Sequence, residues 1–311
     1  MNTSNNKQSP QNPINATFNE APDYVRLKKW MRPRAGIVPL IRLGRRWINI
    51  LWAIPIIIVL GILSIAIAQQ LRTIPAVQEF ILRYPGDTSS RTVTSGFPTW
   101  LRVQHFFNLF FIFFIIRAGI QILADHPRLY WRRDSIPGSE WFRFTQDVPK
   151  DPNWTSKDDA VTLPKWLGIP GIRHSVGLAR WWHFSFDLLW VINGVVFYVL
   201  LFSTDQWQRL VPTSWSIIPN AISTGLQYLS LQFPTDHSWT NYNGLQQLTY
   251  FITVFIAAPL AVVTGLMQGP AIANKLSWFA KIINRQVART IHFIVLSWFL
   301  FFIFVHVTLV F

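Results

Sequence analysis

Five long apolar runs, separated by polar segments, dominate the hydrophobic pattern of this chain. They cover residues 47–68, 100–124, 183–202, 246–267 and 290–311. About twenty apolar residues, rising 1.5 Å each in an α-helix, cross the hydrocarbon core of a bilayer. The pattern therefore predicts an all-α membrane protein with five transmembrane helices.

The N-terminal segment has a different character from the rest of the chain. Residues 1–24 are rich in Asn, Gln, Ser and Pro, which predicts a disordered tail, and residues 25–46 are strongly basic. The basic stretch could lie on anionic lipid, but we favour a flank that positions the first helix. The chain is thus predicted to consist of a tail, residues 1–46, and one integral membrane domain, residues 47–311.

The longer connections between the apolar runs are polar. Residues 69–98 form a first polar connection, and loop 125–182 combines Pro, Gly and Trp, which favours an ordered segment along the membrane surface. Within loop 203–245, the stretch Ile217–Phe233 predicts a short surface helix.

Composition narrows the functional classes. Hydrophobic residues make up 50% of the chain and charged residues 14%, which is typical of an integral membrane protein. The absence of cysteine excludes disulfides, thiolate-bound iron–sulfur clusters, c-type haem attachment and cysteine-ligated zinc in this chain. The net charge of +14 comes from basic residues that flank apolar runs, so nucleic-acid binding is not predicted.

The distribution of basic residues predicts the orientation in the membrane. Most of the 28 lysines and arginines fall in the tail, in loop 125–182 and in the connector 268–290, which a five-helix topology places on one side. Because basic loops concentrate on the cytoplasmic side, the N-terminus is predicted to be cytoplasmic and the protein to reside in the inner membrane.

The last apolar run carries two histidines, His292 and His306. Fourteen residues are close to four helical turns, so both imidazoles project from one face, about 21 Å apart along the axis. An imidazole in hydrocarbon is costly without a partner, and iron binds its nitrogen directly. We therefore expect each to be half of a bis-histidine haem site. The alternative is a polar residue that hydrogen-bonds to another helix.

Two further histidines lie near the starts of other runs. His105 lies near the predicted outer end of the second run, and His183 begins the third run on the cytoplasmic side. Their predicted depths in the membrane pair His105 with His306 at an outer haem. They pair His183 with His292 at an inner haem, within a four-helix bundle of the last four spans. The alternative for His105 and His183 is an interfacial position against lipid headgroups. The first span holds no such ligand and is expected beside this bundle.

The histidine order resembles that of the di-haem cytochrome b subunits of nickel hydrogenases and formate dehydrogenases, in the bacterial cytochrome b561 group. The resemblance covers roughly residues 100–311. The chain is also similar to a cytochrome b/b6-domain branch of that group, associated with molybdopterin oxidoreductases of the sulfite-oxidase type. The stretches that carry this second similarity are ADHPRLYW, PGIRHSVGLARWWHF, LLWVINGVVFYVLLF, RLVPTSW and TYFITVFIAAPLAVVTGL.

The resemblance implies two haem b groups whose axial ligands are the four histidines named above. It implies the same two pairs that their predicted depths give. It also implies a redox partner subunit, a molybdopterin oxidoreductase in that branch. The extra first helix inverts the bundle relative to the formate dehydrogenase arrangement, which leaves open the side on which the partner docks. Loop 125–182 is the preferred docking surface.

Other polar residues are candidates for supporting roles. Arg117, inside the second span, and Asp187, one turn after His183, are predicted at similar depth, as an ion pair or with Arg117 on a haem propionate. A purely structural pair is the alternative. Asp125, His126 and His174 could exchange protons at a quinone site, or be solvated loop residues.

The sequence therefore predicts an electron-transfer subunit of an oxidoreductase complex, working between the quinone pool and a partner, rather than a complete enzyme. One alternative is a proton or ion transporter that uses the intramembrane His, Arg and Asp side chains. Another is a stand-alone transmembrane haem reductase, although no Gly-rich nucleotide fingerprint supports it.

Overall fold

The computed structural model describes residues 38–86, 97–136, 138–144, 147–148, 159–161, 163, 167, 176–233, 242–269 and 284–310. The tail up to residue 37, His174 and His237 lie outside the described residues. The described chain is mostly helical, and the predicted all-α membrane fold is confirmed. Its helices long and apolar enough to cross a membrane are Ile50–Leu71, Thr99–Asp125, Val176–Ser203, Gly244–Gln268 and Arg285–Val310.

The helices are numbered here in chain order. They are α1 (Ala53–Leu71), α2 (Pro75–Arg83), α3 (Thr99–Asp125), α4 (Val176–Ser203), α5 (Ile217–Leu229), α6 (Gly244–Phe251), α7 (Ala258–Gln268) and α8 (Arg285–Val310). A 3₁₀ turn, Ile50–Trp52, precedes α1. Helix α5 matches the surface helix predicted in loop 203–245.

Two helices differ from the sequence expectation. Helix α4 begins at Val176, well before the predicted start at His183, so His183 lies about two turns inside it. The polar connection 69–98 contains α2, which begins with Pro75 at its first position, where a proline costs no hydrogen bond. Hydropathy alone missed α2 because this helix is amphipathic rather than uniformly apolar. It missed the start of α4 because Gly177 and Arg180 interrupt the apolar run there.

Helices α3, α4, α7 and α8 form one bundle. Ile112 of α3 packs with Val295 and Phe299 of α8, and with Ala257 at the junction to α7. Trp190 of α4 packs against the same cluster. Stacked aromatic rings from α3 and α4, with Phe114 and Phe186 at 4.7 Å between ring centres, add to this interface. The bundle therefore contains the three helices that carry the four histidines predicted to face one another.

Helix α1 lies at the edge of this bundle. Almost all of its large aliphatic side chains are exposed, and Ala68 is its single buried residue. Exposed aliphatic side chains on a spanning helix face lipid, because burying them against protein inside the bilayer gives no hydrophobic stabilisation. The position agrees with the expectation that the first span lies beside the candidate chemistry.

A small antiparallel sheet, not predicted from the sequence, ties the N-terminal flank to the loop after α3. Its strands are β1 (Leu40–Leu43), β2 (Arg46–Asn49), β3 (Arg128–Leu129) and β4 (Phe142–Arg143), in the order β2-β1-β4-β3. Gly44 has a positive φ of 62° in the hairpin between β1 and β2. Residues 38–46, expected as a basic flank that positions the first helix, therefore contribute β1 and the start of β2 to this sheet.

Buried charges support the sheet. The guanidinium of Arg128 donates to Glu140 at 2.7 Å and to Asp159 at 2.5 Å, and Glu140 is completely buried. Arg143 pairs with Glu140 and Asp147, and its guanidinium lies 3.9 Å from the ring centre of Trp47. Hydrogen-bonded pairing offsets the high cost of burying these charges.

A π-helical segment, Ile252–Ala257, joins α6 to α7 just before Pro259. Proline has no N–H to continue an α-helical ladder, and a wider turn is a common way to accommodate that loss. The two helical parts thereby form one spanning segment that packs against α8.

Candidate functional site

The four predicted histidines meet in two pairs inside the bundle. His105 of α3 faces His306 of α8, with ring centres 6.2 Å apart and planes at 45°. His183 of α4 faces His292 of α8, with ring centres 6.3 Å apart and planes at 71°. We call these the outer pair and the inner pair, after the predicted orientation.

The separation within each pair matches two ligands on one metal. An imidazole nitrogen lies about 2.0–2.1 Å from a first-row metal such as zinc, so two rings on opposite sides of one ion have centres about 6 Å apart. A direct N–H···N hydrogen bond would bring the two ring centres closer, to about 5 Å, whereas edge-to-face ring packing covers about 4.5–7 Å between centres. The ring separation in both pairs is therefore compatible with the predicted axial ligand sets.

A porphyrin fits these pairs better than a bare metal ion. Among the described residues, no group of three or more His, Cys, Asp or Glu side chains comes together as a metal site. Two imidazoles supply only two donors, whereas haem iron brings its own equatorial nitrogens and needs axial ligands alone. Each pair is complete for haem and incomplete for a protein-bound metal.

The hydrogen bonds of the inner pair define which nitrogen is available. Nδ1 of His183 donates to the carbonyl of Ile115 at 3.1 Å, and a carbonyl can only accept. The hydroxyl of Thr264 donates to the carbonyl of Leu260 at 2.6 Å, so it accepts from Nδ1 of His292 at 3.0 Å. Both rings therefore carry their proton on Nδ1, which leaves each Nε2 lone pair free to bind a metal.

Two glycines leave room beside the inner pair. A Cβ added at Gly119 of α3 would lie 3.2 Å from Cε1 of His183, closer than most side-chain contacts. A Cβ at Gly265 of α7 would lie 3.5 Å from Cε1 of His292. The backbones of α3 and α7 thus approach the two rings directly and hold them facing each other.

The outer pair is held less tightly. Nδ1 of His306 lies 3.3 Å from the hydroxyl of Tyr250, and Phe302 stacks on the same ring at 5.4 Å between centres. His105 is exposed, and within the described part of the chain no side chain or carbonyl hydrogen-bonds to its ring. The inner pair therefore has the more complete set of hydrogen bonds to its rings.

Sequence reasoning missed the residues that orient the α8 histidines. Tyr250 and Thr264 are fourteen residues apart, the same spacing as His306 and His292, and each contacts one of those two rings. This matched spacing was the sequence signal that could have pointed to the two contacts. It becomes meaningful only when the segment α6 to α7 is known to run alongside α8.

Arg117 and Asp187 lie near the inner pair. Oδ2 of Asp187 is 3.6 Å from Nε2 of His183, longer than a hydrogen bond. Arg117 is two residues from Gly119, and its guanidinium lies 5.4 Å from the ring centre of Phe113. The structure thus places both side chains at the depth of the inner pair.

Asp125 and His126 lie at the end of α3, whereas His174 is outside the described residues. The carbonyl of His126 accepts a hydrogen bond from Arg289 at 2.8 Å. Desolvation, together with the positive charges of Arg289 and Arg180, lowers the pKa of the His126 imidazole. This imidazole is therefore neutral near pH 7 and able to accept a proton.

Comparison with known proteins connects this geometry to a family. Residues 96–311, which include α3 to α8 and all four histidines of the pairs, match the family described as prokaryotic cytochrome b561. The chain belongs to the prokaryotic cytochrome b561 family. It is accordingly a multi-pass membrane protein of the haem b electron-transfer class, as the sequence predicted.

A curated relative supports the same assignment for this b561 protein. It comes from Azospira oryzae and is named "Putative protein-methionine-sulfoxide reductase subunit YedZ1". The two chains are 25% identical over 229 residues, which is 71% of this chain and 92% of the relative. No solved structure matches this b561 chain.

Proposed function

We propose that this b561 protein is a di-haem membrane subunit that transfers electrons between the quinone pool and a partner oxidoreductase. The observation that carries the proposal is the pair of facing histidine couples, with ring centres 6.2 and 6.3 Å apart. Their α8 members are fourteen residues, or about 21 Å, apart along one helix. Two haem b groups, one at each pair, would span most of the membrane.

The chain's own residues hold the two sites in place. His105 and His306 would be the axial ligands of the outer haem, and His183 and His292 those of the inner haem. Iron in such a site gains and loses single electrons between its ferrous and ferric states. The hydrogen bonds that hold the Nδ1 protons of the inner pair leave both Nε2 lone pairs available to iron.

Arg117 is proposed to interact with a propionate of the inner haem. Its side chain starts from the stretch of α3 that contacts His183, and a guanidinium binds carboxylates strongly where water is scarce. Asp187, on the adjacent helix, places a carboxylate at the same depth in the bundle. Together they would tune the charge around the inner iron.

The proposed path of electrons also includes a quinone and a partner protein. We place the N-terminal tail and loop 125–182 in the cytoplasm because most basic residues lie on that side. Asp125 and His126, on that side, would exchange the protons that accompany quinone chemistry. The partner is proposed to be a molybdopterin oxidoreductase, and the reductase named for the relative favours electron flow from quinol toward that partner.

The family assignment favours electron transfer over the transporter alternative, and one experiment separates the proposal from a stand-alone reductase. The oxidised protein in nanodiscs is mixed anaerobically with decylubiquinol, menaquinol or NADPH, and the reduced-minus-oxidised haem spectrum is followed. We expect a quinol to reduce the haem and NADPH to leave it oxidised. Reduction by NADPH alone would contradict the proposal.

The substitution Thr264→Val tests whether the inner site is tuned through His292. Removing the acceptor of the Nδ1 proton makes the imidazole a weaker electron donor, so the oxidised iron loses stabilisation. We expect the inner midpoint potential to rise by up to about 40 mV, the equivalent of one hydrogen bond of about 1 kcal/mol. The carbonyl of Ala261, which contacts the same ring, limits the shift.

The matched control is Thr308→Val on α8, the helix that carries His292. The hydroxyl of Thr308 donates to the carbonyl of Phe304 and faces outward. Potentiometric titration of this variant should give both parental potentials. Equal shifts in the two variants would show that Thr264 has no particular role.

A further inference from the structure

Helix α5 has an inverted amphipathic character. Most of its polar side chains are buried against the protein, whereas three of its large aliphatic side chains are exposed and the only buried one is Ile217. The buried polar set is Asn220, Ser223, Thr224 and Gln227, and the exposed aliphatic set is Ile218, Ile222 and Leu229. A water-facing surface helix shows the opposite arrangement.

The polar face is fixed by partners within the protein. Oδ1 of Asn220 accepts from the backbone N–H of Gly86 at 3.0 Å, and the amide of Gln227 donates to the carbonyl of Pro85 at 3.3 Å. The backbone of Gly244 packs directly on Asn220 and Ala221. These contacts prevent α5 from rotating its polar face outward.

The depth of α5 follows from its contacts with the spanning helices. Ser230, directly after α5, accepts from the guanidinium of Arg72 at 3.0 Å and from the amide of Gln69 at 3.4 Å. Gln69 is near the end of the first span, and Gly244 begins the fourth span. Helix α5 therefore lies level with two span ends, at the boundary between headgroups and acyl chains.

The composition of α5 fits an apolar environment outside the protein. Residues 214–233 contain no charged side chain. Ile222 is 60% exposed and Trp215, just before α5, is 88% exposed, with Leu231 and Phe233 also exposed after it. Such a patch is unfavourable in water, whereas a tryptophan beside aliphatic residues is typical of a membrane interface.

We propose that α5 is an interfacial helix whose Ile218, Ile222 and Leu229 face insert into the acyl chains of the leaflet next to α1. Lipid is the favoured occupant because the exposed face adjoins the last turn of α1, whose own surface is lipid-facing. A soluble partner would meet this face only if it also displaced lipid at that depth. The helix thereby anchors the end of the bundle that carries the outer pair.

The absence of cysteine allows a direct test. Single variants Ile222→Cys, Ile57→Cys and Arg133→Cys are labelled with benzophenone maleimide in the haem-loaded protein, in nanodiscs of phosphatidylethanolamine and phosphatidylglycerol. Ile57 is the lipid-facing control on α1, and Arg133 is the exposed loop control. After illumination, mass spectrometry identifies the covalent adducts.

The two outcomes are clearly separated. We expect the share of phospholipid adducts at position 222 to equal that at position 57 and to exceed that at position 133 severalfold. A share as low as that at position 133, or adducts to another polypeptide chain, would overturn the proposal. An unchanged haem spectrum in all three variants confirms that the fold is retained.

Discussion

If the proposed ligands are right, we expect replacement of His292 by alanine to remove the proposed inner haem and leave the outer one, and replacement of His306 to remove the outer one alone. Each substitution deletes one of two axial ligands, while the other pair lies about 21 Å away along α8. We expect the haem content of each variant to fall by half. The pyridine haemochrome assay, normalised to protein concentration, measures it.

Spectra distinguish the two variants from each other. The two pairs have different surroundings, since the inner rings have fixed Nδ1 partners and His105 is exposed. The haem lost with His306 should therefore differ in midpoint potential from the haem lost with His292. Loss of the same component in both variants would contradict the assignment of separate sites. The control is Ser297→Ala on α8, whose exposed hydroxyl donates only to the carbonyl of Phe293.

Replacing Glu140 by glutamine opens the small sheet locally. Glu140 is completely buried between Arg128 and Arg143, and Oε2 also accepts from the backbone N–H of Gly138 at 2.7 Å. Removing one member of a buried ion network leaves the opposite charges undercompensated, at a cost of about 3–5 kcal/mol. The remaining carboxylates, Asp159 and Asp147, favour the lower end of that range.

Hydrogen–deuterium exchange measures this local opening. A loss of about 3 kcal/mol accelerates exchange of protected amides by about two orders of magnitude, and the effect should be confined to the four strands of the sheet. The control is Asp147→Asn, which removes a pairing carboxylate that is itself mostly exposed and contributes less than about 1 kcal/mol. Equal exchange in the Glu140 variant and the parent would show that the buried charges do not stabilise the sheet.

Sequence reasoning was most effective where one physical rule decides the outcome. Hydrocarbon thickness determines the length of a spanning helix, so the five spans could be recognised from hydropathy. Helical periodicity and alternating topology then determined the depth of each histidine. The structure brings together the same two pairs, His105 with His306 and His183 with His292.

The remaining features depend on packing that no local pattern encodes. The strands around Gly44 are short and rich in arginine, so their basic charge concealed the alternation of a hairpin. Tyr250 and Thr264 are unremarkable along the chain, and they reach the histidines because the segment from α6 to α7 packs alongside α8. Position in three dimensions, rather than residue type, gives these side chains their roles.

The most direct test of the central claim is the number and ligation of haems in the parent protein. The pyridine haemochrome assay should give two haem b groups per chain, and low-temperature electron paramagnetic resonance of the oxidised protein should show two low-spin ferric species with bis-imidazole ligation. One haem per chain, or a high-spin species that persists in the intact membrane-embedded protein, would contradict the account.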